Sequence, residues 1–400
     1  MKGKLFGFFN SNRKYLLYGS SIVFSRGLEY LILFLAPLLL TKQAYGDLEF
    51  YKRIIELSST ILVFGLPTLM FTYSKSNSSK VYLLIFSLGV ILLLSIVTIP
   101  ILYWADYLFL LIPILFYSIF FSNGIVQMYI LVAKGSNAAS VFKIIVSCIF
   151  YAFVFFIIKY DKNPSFAFVN STYFLFPVGG IFLILLLRSL RAKYKVFLKY
   201  LNLFKKLLVS SSTLVISTIA NMMFLYSDIF IVKLLSDNSS VEIANFSFVL
   251  NITNLIVIIP MTLIQVDIEK IKEGSYSWLQ SYRKKIALYI LVFAFFVTLG
   301  YILLINSFYS SYKNTLLLFV ILIFGKIIQS NSVILGAQIL IKKRFFDNLK
   351  INLATVSFNI IASYFCYKSF GLLGLAFISS LSLLVRYLGL RYYYKQIHLK

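Results

Sequence analysis

Stretches of about twenty apolar residues follow one another along this chain with little between them, and that succession restricts what it can fold into. A hydrocarbon core roughly 30 Å thick needs about 20 apolar residues per spanning helix. Twelve stretches qualify, at residues 22–40, 54–73, 81–102, 107–133, 144–158, 166–187, 207–235, 243–266, 286–305, 315–341, 351–367 and 371–390. The fifth is short unless Ala138–Val141 extend it, and without that extension the count is eleven. Runs such as Leu31–Leu40 are continuous rather than alternating, which argues against a β-barrel. The expected fold is an all-α polytopic membrane protein of about 12 transmembrane helices with no soluble domain.

Charge agrees with that expectation. Only 13% of the residues are charged, against about a quarter in an average soluble protein. The formal charge of +25 would suit a polyanion partner, but its distribution has another cause. With the N-terminus in the cytoplasm, the cytoplasmic segments hold 28 of the 38 lysines and arginines. This is the bias of the positive-inside rule. Both termini are then cytoplasmic, and the basicity calls for no nucleic-acid partner. Only Arg26 and Lys326 are placed well inside spans. Cys148 and Cys366 lie in apolar stretches and read as small buried hydrophobes, so no disulfide framework is expected. The first stretch carries Arg26 and Glu29 and is followed by no small-residue cleavage site, unlike a signal peptide.

The loops are short. The longest, 188–206, holds seven basic residues (Arg188, Arg191, Lys193, Lys195, Lys199, Lys205 and Lys206) and reads as a linker lying on anionic headgroups. It divides the chain into an N-terminal lobe, 1–187 with spans 1–6, and a C-terminal lobe, 207–400 with spans 7–12. A weak internal repeat follows the same division. A shift of 195 aligns Asp47-Leu48 with Glu242-Ile243, Glu56 with Asn251 and Ser59 with Asn254. Six spans per half is an even number, so the halves would share one orientation, a common construction in transporters.

Ionisable groups within spans are costly, about 2.5–3.5 kcal/mol on insertion scales, and usually face the bundle interior or a water-filled cavity. The candidates are Arg26 and Glu29 in span 1, Glu56 in span 2, Asp228 in span 7 and Lys326 in span 10. Arg26 and Glu29 are three apart and can pair on one helical face. Ser217, Asn221 and Asp228 share a stripe of span 7, as do Ser247, Asn251 and Asn254 in span 8. Span 11 offers Asn352, Thr355, Asn359 and Ser363, and span 4 offers Asn123 and Gln127. Such amides serve equally as hydrogen-bonding joints between helices or as cavity lining. Asp228 and Glu56 have no evident basic partner in their own spans, which favours a functional cavity for them.

Enzymatic chemistry is not expected. The only histidine, His398, is the third residue from the end, so no in-membrane His general base is expected. No His/Cys/carboxylate group has metal-ligand spacing, and no Gly-rich phosphate loop ends in Lys-Ser/Thr. No cofactor and no metal site are anticipated.

Two segments carry a family resemblance. Tyr45-Gly46-Asp47-Leu48-Glu49-Phe50, followed by a span ending Phe64-Gly65-Leu66-Pro67, resembles the first loop and second span of bacterial oligosaccharide (O-antigen type) flippases. These belong to the multidrug/oligosaccharidyl-lipid/polysaccharide exporter superfamily. Ser227-Asp228-Ile229-Phe230-Ile231-Val232, the turn Ser236-Asp237-Asn238 and Val241-Glu242-Ile243-Ala244 are similar to that family's seventh span and the loop after it. Val241-Glu242 stands where the family commonly has Gly. The resemblance implies two six-helix lobes around a central cavity lined by spans 1, 2, 7 and 8. It also implies transfer of an undecaprenyl-diphosphate-linked sugar repeat unit to the periplasmic leaflet by alternating access. The polar residues found above within spans, Arg26, Glu29, Glu56, Asp228, Asn221, Asn251, Asn254 and Lys326, are the candidates for substrate contact and cavity lining, and they fall largely on those four spans. The partners would be the lipid-linked oligosaccharide, membrane lipids and polysaccharide polymerase machinery, in the bacterial cytoplasmic membrane, for O-antigen or capsule. The competing readings are a drug or other small-molecule exporter of the same superfamily, and a membrane polymerase or ligase. The second usually carries a long external loop, which this chain lacks.

Overall fold

A computed structural model of the protein describes residues 2–73, 76–121, 124–190, 197–267, 271, 274, 276–342 and 344–398. Among the described residues there is no strand. The helices are α1 (Lys2–Leu39), α2 (Lys42–Val63), α3 (Leu66–Tyr73), α4 (Asn77–Trp104), α5 (Leu111–Ile119), α6 (Ile125–Lys134) and α7 (Ser136–Tyr160). They continue with α8 (Ala167–Ser189), α9 (Phe197–Leu235), α10 (Ser239–Val266), α11 (Tyr276–Ser307), α12 (Leu316–Ile341) and α13 (Phe345–His398).

Among the described residues, eight helices are long and apolar enough to cross a membrane. One of them, α13, breaks at Gly371, where φ is +58°, and so supplies two crossings. The other three stretches form as broken pairs. The limbs Val215–Phe224 and Tyr226–Leu235 of α9 meet at a 51° bend. Helices α5 and α6 share the fourth stretch, and α2 and α3 share the second. The α2–α3 break is a left-handed turn at Phe64 (φ +47°) and Gly65 (φ +67°), a conformation that glycine adopts without cost. The twelve stretches are thus accounted for. The fifth is the 25-residue α7, which takes in Ala138–Val141 and removes the eleven-span alternative.

Continuous helix is what a bilayer demands, because backbone groups find no water there and must pair within the segment. Pro37, Pro100, Pro177 and Pro260 all sit inside helices, as membrane helices tolerate. One face of α4 shows the bilayer's imprint: Leu92, Leu93, Ile96 and Val97 are 54–66% exposed. A soluble protein would bury such a face, so here it meets lipid. At the start of α4 the Ser76 hydroxyl accepts from the Ser79 amide at 3.1 Å, and the Ser79 hydroxyl accepts from the Ser76 amide at 3.0 Å. Both amides would otherwise be orphaned.

The chain divides into two compact units: Met1–Leu39 with Tyr51–Val215, and Leu40–Phe50 with Ile216–Lys400. The opening turns of α2 therefore pack with the second half of the sequence. Within that second unit, Lys42 Nζ donates to Asn245 Oδ1 at 3.0 Å, and Ser240 Oγ donates to Asp47 Oδ1 at 2.5 Å. A Cβ at Gly46 would collide with the backbone carbonyl of Ser240, so only glycine allows α2 and α10 to approach this closely. Gly46→Ala is expected to destabilise the protein by about 1–3 kcal/mol or more, the usual cost of overpacking against backbone. Its melting temperature in detergent should fall clearly. An unchanged value would show that the two helices separate freely here.

Candidate functional site: two buried polar clusters

In the first unit five ionisable side chains meet between α1 and α2. Glu29 Oε2 accepts from Arg26 Nη1 at 2.7 Å, the pair expected from their spacing. Glu29 Oε1 lies 2.9 Å from Lys52 Nζ. Glu56 continues the chain of charge, 3.7 Å from Lys52 Nζ through Oε1 and 3.4 Å from Arg53 Nη1 through Oε2. Three cations face two carboxylates, so the cluster has a surplus positive charge. Lys52 is almost completely buried, at 2% side-chain exposure, while the Arg26 side chain is 59% exposed. Nearby, Ser25 and Ser147 share a hydrogen bond of 2.6 Å that joins α1 to α7. The helical offsets of three and four bring Lys52 and Arg53 onto the same side as Glu56.

The second unit holds a carboxylate wrapped by neutral donors. Asp228 is 4% exposed. Its Oδ1 accepts from Asn359 Nδ2 at 3.0 Å and its Oδ2 from the Ser379 hydroxyl. Asn359 Nδ2 also donates to Ser227 Oγ at 3.0 Å, and Asn359 Oδ1 accepts from Ser382 Oγ at 2.8 Å. The cluster therefore joins α9 to both limbs of α13. Lys326 on α12 donates to Gln329 Oε1 at 3.0 Å and lies within electrostatic reach of Asp228. Still in the second unit, Glu49 is fully buried, and its Oε1 accepts from Asn251 Nδ2 at 3.0 Å and from Tyr45 Oη at 3.5 Å.

Several expectations change at this level of detail. Glu56 is not isolated in its own helix, because Lys52 and Arg53 lie on that helix and face it. The reason is that α2 begins at Lys42, twelve residues before the apolar stretch does. Arg26 and Lys326 are not the only interior cations either. Lys52, Arg53 and Arg386 lie within helices, and the buried Nε of Arg386 has no hydrogen-bond partner among the described residues. Asn251 belongs with Glu49 rather than with Asp228. Asn221 and Asn254 are half-buried and make no hydrogen bond among the described residues. Of the span-11 stripe, Asn352 joins helices by donating to Ser217 Oγ at 2.9 Å, whereas Asn359 serves Asp228. Asn123 lies outside the described residues.

The fold has relatives of known structure. An inward-facing multidrug resistance MATE family transporter of the MOP superfamily matches with a TM-score of 0.63 and 14% identity, over 92% of this chain and 95% of the other. The lipid II flippase MurJ, in an inward closed conformation, matches with a TM-score of 0.59 and 13% identity, over 96% of this chain and 90% of its own. A MATE protein in complex with MaL6 matches at 0.56 and 13%, over 97% of both chains. No curated protein matches in sequence. The chain thus shares the fold of these proteins. Residues 11–268 match the polysaccharide biosynthesis protein family model, and the chain belongs to that family.

Proposed function

We propose that the protein is a flippase for undecaprenyl-diphosphate-linked oligosaccharide repeat units, moving them from the cytoplasmic to the outer leaflet of the bacterial cytoplasmic membrane. The product would feed O-antigen or capsule synthesis by a polymerase. Membership of the polysaccharide biosynthesis family is the observation that carries this reading. The α1–α2 cluster gives it a chemical basis. Glu29 is shared between Lys52 and Arg26, and with three cations against two carboxylates the cluster keeps positive charge to spare at its exposed end, the half-exposed Arg26 side chain. Exposure of that group to hydrocarbon would be costly, so it is read as facing water. A guanidinium binds phosphate oxygens through two parallel donors and suits a diphosphate. Both termini are placed in the cytoplasm on the loop charges, and the two sequence halves act as lobes that open alternately to either side. Liposomes carrying the protein and a labelled lipid-linked oligosaccharide provide the test. Faster exposure of the label than in empty liposomes is expected, and equal rates would reject the function.

Asp228 is assigned to coupling, either by taking up a proton or by pairing transiently with a cation. Asp228→Asn removes the charge while keeping shape. Transport is expected to slow by on the order of tenfold, within the 1–3 kcal/mol typical of coupling free energies. Glu56→Gln should behave similarly through the first cluster. Wild-type transport by both variants across a range of pH would show that neither group couples.

A further inference from the structure

A second basic site lies apart from both clusters. Where the first turns of α11 meet the last turns of α13, Gln280, Arg283, Tyr387, Arg391, Tyr394 and Lys395 line a cavity of about 190 Å³. Drug-sized ligand sites usually measure about 300–1,000 Å³, so this one suits a headgroup rather than an oligosaccharide. Three of its six lining residues are cationic and none is acidic. Among the described residues, Arg283, Arg391 and Lys395 have no carboxylate partner.

One wall is packed into the core. Tyr394 is 2% exposed and belongs to a core of Leu335, Ile339, Ile351 and Leu390, against which Tyr387 also packs. The Arg283 guanidinium lies over the Tyr394 ring, 5.3 Å from its centroid, which orients it without neutralising it. Positive-inside topology alone would scatter basic residues over solvated loops. Here cations from two distant parts of the sequence converge on one small recess at the end of two spans. Basic pockets of this kind between membrane helices fit anionic lipid headgroups.

We propose that this recess binds the phosphodiester headgroup of an anionic phospholipid, with Arg283, Arg391 and Lys395 contacting the phosphate and Gln280 a headgroup hydroxyl. The proposal needs only that the chain spans a membrane and does not depend on the transported substrate. It is tested on the purified full chain in detergent by native mass spectrometry, titrating dioleoylphosphatidylglycerol, dioleoylphosphatidylethanolamine and undecaprenyl diphosphate separately. The wild-type protein should retain one phosphatidylglycerol more tightly than phosphatidylethanolamine. Arg391→Gln/Lys395→Gln should weaken that binding by on the order of tenfold or more. The control Lys199→Gln/Lys205→Gln removes the same charge from exposed positions of α9 and should change it less than about twofold. Three results would overturn the proposal: equal binding of both phospholipids by the wild type, equal weakening in the two variant pairs, or retention of undecaprenyl diphosphate but not phosphatidylglycerol. The comparison of lipids on the wild type decides the matter even if the pocket variant does not fold.

Discussion

Cells carrying Lys52→Ala should contain little or no folded protein, whereas Arg26→Ala should accumulate normally and fail to restore surface glycan. The contrast follows from exposure. Lys52 is the buried cation that bridges Glu29 and Glu56, and its removal leaves Glu29 to the half-exposed Arg26 and Glu56 to Arg53 in a medium that solvates carboxylates poorly. Breaking a buried ion pair by deleting one partner costs about 3–5 kcal/mol, a large share of the stability of most proteins. Arg26 is the exposed end of the same chain of charge, and Glu29 keeps its contact with Lys52 when Arg26 is gone. Its loss should therefore spare the fold and remove the proposed diphosphate contact. Membrane abundance measured beside glycan complementation separates the two effects. Full complementation by Arg26→Ala would reject its role in substrate binding. Low abundance of that variant would make it a structural partner of Glu29.

Outward flipping should accelerate when the liposome lumen is made positive relative to the side carrying the substrate. A diphosphate headgroup bears about two negative charges, and one charge moved through 100 mV is worth about 2.3 kcal/mol. Passage of the unneutralised headgroup across the whole field is then downhill by up to about 4–5 kcal/mol in a cell whose cytoplasm is negative. The surplus positive charge of the α1–α2 cluster would travel with the anion only if those helices cross the field themselves. Voltage sensitivity thus also reports how much of the substrate's charge the protein compensates. Transport that requires ATP, or that ignores both potential and ion gradients, would show this account of its energy to be wrong.

How much was legible beforehand depended on whether the signal was local. Apolar stretches of spanning length mark every crossing, because hydrocarbon thickness imposes one length on them all. The Arg26–Glu29 pair follows from a spacing of three. Lys52 and Arg53 were hidden because hydropathy treats a charge as a loop signal, whatever neutralises it. Their own spacing carries the clue: Glu49, Lys52, Arg53 and Glu56 place two cations three and four residues from a carboxylate on either side. Arg386 lies near the end of the twelfth stretch, 371–390, where a basic residue also serves as a boundary signal. The partners of Asp228 are beyond sequence reasoning of this kind, since Asn359 and Ser379 lie 131 and 151 residues away. Many other serines and asparagines had equal claim to that place.

The charge carried by α2 also bears on how the protein is made. Alone among the first helices, α2 is 22 residues long yet does not qualify as an apolar span. Each unpaired charge at mid-helix opposes release from the translocon into lipid by about 2.5–3.5 kcal/mol. Within α2 itself Glu56 offsets part of the charge of Lys52 and Arg53. Glu29 removes a further part of this penalty, and it sits on the helix synthesised immediately before. Pairing with α1 before release into lipid would therefore lower the cost of inserting α2.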